Sequence, residues 1–169
     1  LSRKNRVVSV YKSFYLIVPP EYAVRRILPP MNFIDDLMSF IGKRYYVGLL
    51  SAAALYGAAH QQPQEFFVVT TTKQFTTRKK GIKINYFTKK NIPEGLLDKR
   101  KTESGYVKVS SPELTAADLV YYQNRIGGLN RVCTIINELT ESISLEKINE
   151  EFIEALYTPT IQRLGYILD

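Results

Sequence analysis

The stretch EFFVVTTTKQFTTRKKGIKINYFT, Glu65 to Thr88, decides the fold class. Glu65 to Thr72 is β-branched and aromatic, and Ile82 to Thr88 repeats that character with Ile84, Tyr86 and Phe87. Such runs suit a pleated, half-buried surface. Between them Lys73, Arg78, Lys79, Lys80 and Lys83 mix with threonines, and Gly81 supplies the bend before the second run. The whole predicts an antiparallel hairpin with a basic tip.

Upstream the character changes. From Tyr46 to Ala59 the chain is apolar nearly all round and rich in alanine, which predicts a buried helix, with Gly48 and Gly57 permitting close approach of a neighbour. A shorter helix through Leu37, Met38, Phe40 and Ile41 precedes it, with Asn32 or Asp35 as candidate N-cap and Gly42 at its end. Farther upstream, Arg6 to Val18 predicts two short strands and a turn, and the pairs Pro19–Pro20 and Pro29–Pro30 bracket a connector. A lone hairpin is marginal in water. The reading expected here is that sequence precedes residue 1.

Downstream, Tyr106 to Val109 predicts a strand after a polar turn over Asp98 to Ser104. The run Ser110, Ser111, Pro112, Glu113 has the form of a hydroxyl cap with a glutamate three residues later that bonds back, so a helix is predicted from there through Tyr121. Gly127 and Gly128 break it before a second helix to Leu139, Ser144 is a candidate cap for a third through Leu156, and a last one runs from Pro159 to Ile167. Strands come early and helices cluster late. The fold class expected is therefore α+β, a small antiparallel or mixed sheet packed with a C-terminal helical cluster. Strict strand–helix alternation and a glycine-rich phosphate loop are both missing, which counts against a doubly wound sheet.

The chain has 169 residues, 45% of them hydrophobic, with 12 Tyr and 8 Phe but no Trp, enough to bury one sizeable core. A single cysteine, Cys133, allows no internal disulfide and no thiolate metal site, which fits a reducing cytoplasm. No stretch has the length of a membrane span and no charged-then-apolar leader is read in it, so a soluble protein is expected. The net charge of +7 is unevenly spread. Residues 1 to 30 hold six cations against one acid and residues 73 to 110 eleven against three, whereas residues 111 to 169 hold four against nine. Two basic segments of this kind favour a polyanionic partner, because neutralised phosphates release counterions.

Chemistry-bearing patterns are sparse. His60 has no second ligand at a metal spacing and lies where the alanine-rich helix ends, and Cys133 sits in an apolar helical run, so both read as structural. Asp35 and Asp36 diverge by about 100° on a helix and do not converge on one ion. Asp118, inside the capped helix, faces either the helix dipole or a basic neighbour. The acids Glu138, Glu141, Glu146, Glu150, Glu151 and Glu154 read as a solvated face. No cofactor, metal or catalytic set emerges. The residue types needed for phosphate contact and base stacking do occur together, in Arg78, Lys79, Lys80, Lys83, Lys89 and Lys90 with Phe75, Tyr86 and Phe87. Lys73 and the N-terminal Arg3, Lys4 and Arg6 complete the candidate nucleic-acid contacts, although lysine-rich hairpins also protect sheet edges.

Four stretches together resemble the AbiEi antitoxins of type IV toxin–antitoxin (abortive infection) systems. FYLIVPPEY, Phe14 to Tyr22, is similar to the wing and exit of that family's N-terminal winged helix-turn-helix, and YYVGLLSAAALYGAAHQQPQEFFVVT, Tyr45 to Thr70, to the start of its core domain. KVSSPELTAADLVYY, Lys108 to Tyr122, with GGL at Gly127 to Leu129, and TPTIQRLGYILD, Thr158 to Asp169, resemble later blocks. The resemblance implies a wing remnant over residues 1–30 and an antitoxin core over residues 31–169. It further implies operator DNA as the target of the N-terminal module and a nucleotidyltransferase-like toxin as functional partner, without a required stable complex. Tyr56 stands where the resemblance leads one to expect histidine, so no role of that histidine carries over. Two rival readings remain. One is a divergent nuclease or nucleotidyltransferase in which Glu65, Asp118 and nearby lysines gather at one site; the other is a DNA-binding repressor with no toxin.

Overall fold

Tyr46 and Val47, read from sequence as the start of a helix, lie in strand β3 (Tyr45–Val47) near the centre of a six-stranded sheet. The computed structural model describes residues 7–23, 28–58, 65–79 and 81–169. A strand covered on both faces is a continuous apolar run, which periodicity alone cannot separate from a buried helix. After it the chain turns at Gly48 and Leu49, and helix α3, Leu49–Leu55, begins. A Cβ on Gly48 would sit 3.1 Å from both the Tyr46 ring and the Val69 side chain, so this glycine does permit the expected close approach. Gly57 has open space around it and a φ of +81°, so its role is to take a left-handed turn instead.

The other five strands are β4 (Phe66–Thr70), β5 (Thr77–Lys79), β6 (Ile82–Thr88), β7 (Leu97–Thr102) and β8 (Gly105–Ser110), in the order β5-β6-β4-β3-β8-β7. Two expectations are corrected here. The runs at Phe66–Thr70 and Ile82–Thr88 pair in parallel, Phe66 opposite Ile84 through Thr70 opposite Thr88. Parallel neighbours need a crossover, and the basic segment supplies it by forming β5, which is antiparallel to β6 along the sheet's edge. The polar stretch Asp98 to Ser104 is likewise no simple turn. Most of it is edge strand β7, antiparallel to β8 from Leu97 opposite Ser110 to Thr102 opposite Gly105.

Alternation along the strands sends side chains into two cores. On one face Val47, Val68, Ile82, Ile84, Tyr86, Val107 and Val109 meet helix α2 (Ile34–Phe40), Val8, Val10 and Leu16 of the hairpin β1 (Val7–Tyr11) and β2 (Phe14–Ile17), and Val18 just beyond it. On the other, Tyr46, Phe67, Val69 and Phe87 meet the helical cluster. That cluster comprises α3, α4 (Pro112–Tyr121), α5 (Leu129–Leu139), α6 (Glu150–Glu154) and α7 (Thr158–Leu168); a short α1 spans Pro20–Ala23. The architecture is thus α+β with a mixed sheet and late helices. The sheet is covered on both sides.

Local capping differs from the sequence pattern in three places. Helix α2 has no side-chain cap: Asn32 bonds Glu103 at 2.8 Å and Asp35 accepts the Tyr45 hydroxyl at 2.7 Å. Helix α4 is capped by Ser111, whose Oγ accepts from Leu114 N, while Glu113 turns away and accepts from Ser144 N at 2.8 Å. That long-range bond replaces the expected reciprocal box. Ser144 stands at the N-cap position of the 3-10 turn Leu145–Lys147 without a side-chain cap bond, and the α-helix beyond it, Glu150–Glu154, is short and capped by Asn149, whose Oδ1 accepts from Phe152 N. No helix of the described residues is long and apolar enough to cross a membrane.

Candidate functional site

Of the ten cations expected to contact nucleic acid, Arg3, Lys4, Arg6 and Lys80 lie outside the described residues, as does His60. The remaining six do not form one surface. Lys73, Arg78 and Lys79 are exposed around β5. Arg78 is directly opposite Lys83 on β6, whereas Lys79 is opposite Ile82 and so points to the other side of the sheet. Lys83 is ion-paired with Glu65, which also accepts from Asn85. These contacts, the Lys83 bond foremost, hold the Glu65 carboxyl below the usual carboxylate range, and Arg78 adds to the pull. One glutamate thus faces two cations and neutralises one of them, Lys83.

Lys89 and Lys90 belong to a different place. Six residues beyond Lys83, or about 20 Å along an extended chain, Lys89 reaches under the helical cluster and pairs with Asp118 Oδ1 at 2.9 Å. Asp118 is 1% exposed and comes from α4, the most deeply covered helix, with Pro112 to Val120 all buried. Its Oδ2 accepts the Tyr46 hydroxyl at 2.5 Å. Burial, reinforced by the Asp118 charge, raises the Tyr46 hydroxyl well above its usual value and keeps it a donor. Asp118 therefore faces a basic group, one of the two structural roles its position allowed. It does not gather with Glu65, because each carboxylate holds its own lysine. Among the described residues no group of three or more His, Cys, Asp or Glu could hold a metal ion.

Over this pair opens a cavity of about 400 Å³, lined by Thr71, Thr88, Lys89, Lys90, Asp118, Tyr121, Tyr122, Leu156, Tyr157 and Thr160. Its aromatic wall is built in steps from α4 outward. Tyr122 donates to the Thr88 carbonyl at 2.7 Å and packs edge-on against Phe87, whose ring lies 4.0 Å from the Arg125 guanidinium. Tyr121 meets Tyr122 edge-on and stacks on Tyr157 at 5.3 Å with an 8° angle between the planes. Tyr157 immediately precedes α7, whose early residue Thr160 forms another part of the lining. The cavity thus joins the end of the sheet to both the central and the last helix.

Sequence reasoning singled out Lys89, Lys90 and Asp118 here but missed Tyr46, Tyr121, Tyr122, Tyr157 and Thr160. Three dispersed segments supply most of the lining, so no local spacing exposes it. The usable signal was the adjacent Tyr121 and Tyr122 at the end of the helix. Elsewhere, Tyr56 donates toward Asp98 and the Ser110 carbonyl, both at 2.8 Å, under the Arg100 guanidinium, and so ties α3 to the β7–β8 edge. Cys133 is a free thiol and half-buried, less covered than its apolar neighbours suggested. Glu141, Glu146, Glu150, Glu151 and Glu154 are exposed, and Glu138 is half-buried.

Comparison with known proteins adds three findings. No match is found among curated proteins. Among solved structures, an antigenic nucleotidyltransferase-like protein from Paracoccidioides brasiliensis is 13% identical, with 82% of this chain and 89% of that one covered and a TM-score of 0.46. The AbiEi antitoxin C-terminal domain matches residues 46–169, well over half of the chain. That span holds Tyr46, the Asp118 pair, the cavity and every helix of the C-terminal cluster, and across it the chain belongs to the AbiEi antitoxin C-terminal domain family.

Proposed function

We propose that this chain is the core of a type IV antitoxin that counters a nucleotidyltransferase-like toxin without a required stable complex with it, and that it makes or breaks no covalent bond. The observation that carries the reading is the antitoxin-domain match over residues 46–169. The state of the one buried carboxylate at the cavity supports a binding role. Asp118 is neutralised by Lys89 and occupied on its second oxygen by Tyr46, which suits it to positioning. On this reading residues 31–169 are the antitoxin core and residues 1–30 the wing remnant of a winged helix-turn-helix through which the intact protein represses its own operon. Such a protein works in the cytoplasm. The exposed Lys73, Arg78 and Lys79 supply phosphate affinity without sequence readout.

Coexpression tests the proposal. The intact protein should rescue cells from the product of the toxin gene beside it, and failure to rescue would refute the antitoxin role. Replacing Arg78, Lys79 and Lys80 together with alanine should weaken rescue if that loop carries the activity. Nucleotide transfer or strand cleavage by the purified protein, lost in Asp118→Asn, would instead establish an enzyme.

A further inference from the structure

The cavity over the Lys89–Asp118 pair is furnished beyond what packing requires, and its chemistry is selective. Its volume of about 400 Å³ falls in the range of small-ligand pockets. Lys89 and Asp118 cancel, no other acid lines the cavity, and Lys90 is exposed with no ion-pair or hydrogen-bond partner among the described residues. The lining therefore carries one uncompensated positive charge. A cationic ligand is disfavoured and an anionic group is favoured.

Two further observations narrow the ligand. Tyr121 and Tyr157 stack on one another yet stay 47% and 59% exposed, which leaves a broad aromatic surface open at the mouth. Flat π-systems are what such surfaces bind best. Thr160 is 5% exposed, lines the cavity, and its hydroxyl has no hydrogen-bond partner among the described residues. The hydroxyl oxygen is not among the enclosed atoms left without a partner, so it opens to the cavity and is free to donate to or accept from a ligand there. Thr71 and Thr88 add hydroxyls at the rim. The Tyr122 bond to the Thr88 carbonyl fixes the wall before any ligand arrives.

We propose that this cavity binds a single nucleotide unit, with its base against the Tyr121–Tyr157 pair, its phosphate on Lys90 and a sugar or phosphate oxygen on the Thr160 hydroxyl. The flat face suits the base, the uncompensated Lys90 the phosphate, and the hydroxyl lining the oxygens between them. The unit is either a free nucleoside monophosphate or the terminal nucleotide of a strand. The inference does not depend on the identity of any toxin.

Titration calorimetry with the purified chain tests it, using the four nucleoside 5′-monophosphates, the matching nucleosides, inorganic phosphate and a short single strand with a 5′-phosphate. At least one monophosphate should bind, more tightly than its nucleoside and than phosphate alone. Lys90→Ala should reduce nucleotide affinity to that of the nucleoside. Tyr157→Ala should weaken binding roughly 5- to 100-fold, the range that one stacked base supports. Thr160→Val keeps the shape and should cost several-fold while the thermal midpoint holds. If the single strand binds and free monophosphates do not, and Tyr157→Ala abolishes that binding, a strand end is the natural source. The proposal is overturned if no nucleotide in either form binds, if inorganic phosphate binds as well as the nucleotide, or if the three variants bind like the parent.

Discussion

Tyr46 donates its hydroxyl to Asp118 across 72 positions of sequence, and neither residue is more than 1% exposed. The bond joins the sheet's central strand to its most buried helix. Lys89 completes the cluster from the end of β6, so three elements meet on one carboxylate. Removing one member of a buried ion pair leaves an uncompensated charge, at a cost of about 3–5 kcal/mol. Asp118→Ala is therefore expected to lose about that much in urea unfolding, and Tyr46→Phe about 1.5–3 kcal/mol, the worth of a hydrogen bond to a charged group. The double variant should fall short of the sum, since both changes act on one network. Additivity would mean that the two side chains contribute separately.

The same burial makes stability sensitive to alkali. Tyr45, Tyr46, Tyr56, Tyr86 and Tyr122 are all raised above the ordinary tyrosine value by burial, with Asp35, Asp118, Asp98 and Asp118 adding to the rise at Tyr45, Tyr46, Tyr56 and Tyr122. Above about pH 10 the unfolded chain releases these phenolic protons and the native chain keeps them. The unfolded state then binds fewer protons, so stability must fall as pH rises. The stabilisation is complete below the unfolded value and is lost above it. Each retained proton steepens the decline by about 1.4 kcal/mol per pH unit. Denaturation midpoints across pH 8 to pH 11, roughly the window that brackets tyrosine ionisation, should drop steeply, and Tyr46→Phe should make the drop shallower. An unchanged slope in that variant would show that Tyr46 ionises alike in both states.

Which parts of this molecule could be read from sequence follows from which signals are local. Helices α5 and α7 were legible because apolar residues recur at helical spacing and Gly128 and Pro159 mark their starts. Strand β3 was not, because burial on both faces erases the alternation that identifies a strand. Strand β7 was missed for the opposite reason: an edge strand exposes Lys99, Arg100 and Lys101 and reads as a loop. The parallel pairing of β4 with β6 depends on where β5 passes, which no residue in either strand encodes. Lys89 and Lys90 were legible as cations, but their separation from Arg78 and Lys79 is a product of that topology.

Glu113 offers a compact test of local against long-range capping. Its Oε1 accepts from Ser144 N, and its Oε2 is buried with no partner among the described residues. Ser111→Ala removes the true cap and should cost about 1 kcal/mol. Glu113→Ala orphans a loop N–H and should cost about 1–3 kcal/mol, whereas Glu113→Gln keeps an acceptor and should recover most of the loss. Hydrogen exchange at Ser144 is the decisive readout. Faster exchange there in Glu113→Ala, unmatched in Ser111→Ala, is expected; equal exchange in both would return the glutamate to a local cap.

Both outer strands of the sheet carry lysine and arginine, Arg78 and Lys79 on β5 and Lys99, Arg100 and Lys101 on β7. An outer strand presents unpaired N–H and C=O groups, and charged side chains keep other chains from pairing with them. For β7 this plain role accounts for the charge. Arg100 lies over Tyr56, but Lys99 and Lys101 are exposed and touch no acid among the described residues. Threonine suits a strand as well as lysine or better, so Lys99→Thr with Lys101→Thr removes the charge and keeps the strand. The variant should associate as concentration rises in sedimentation while the parent does not change, and its affinity for heparin should fall less than that of Arg78→Ala with Lys79→Ala. A variant that shows no added association and loses most of its polyanion affinity would make β7, and not β5, the basic binding edge.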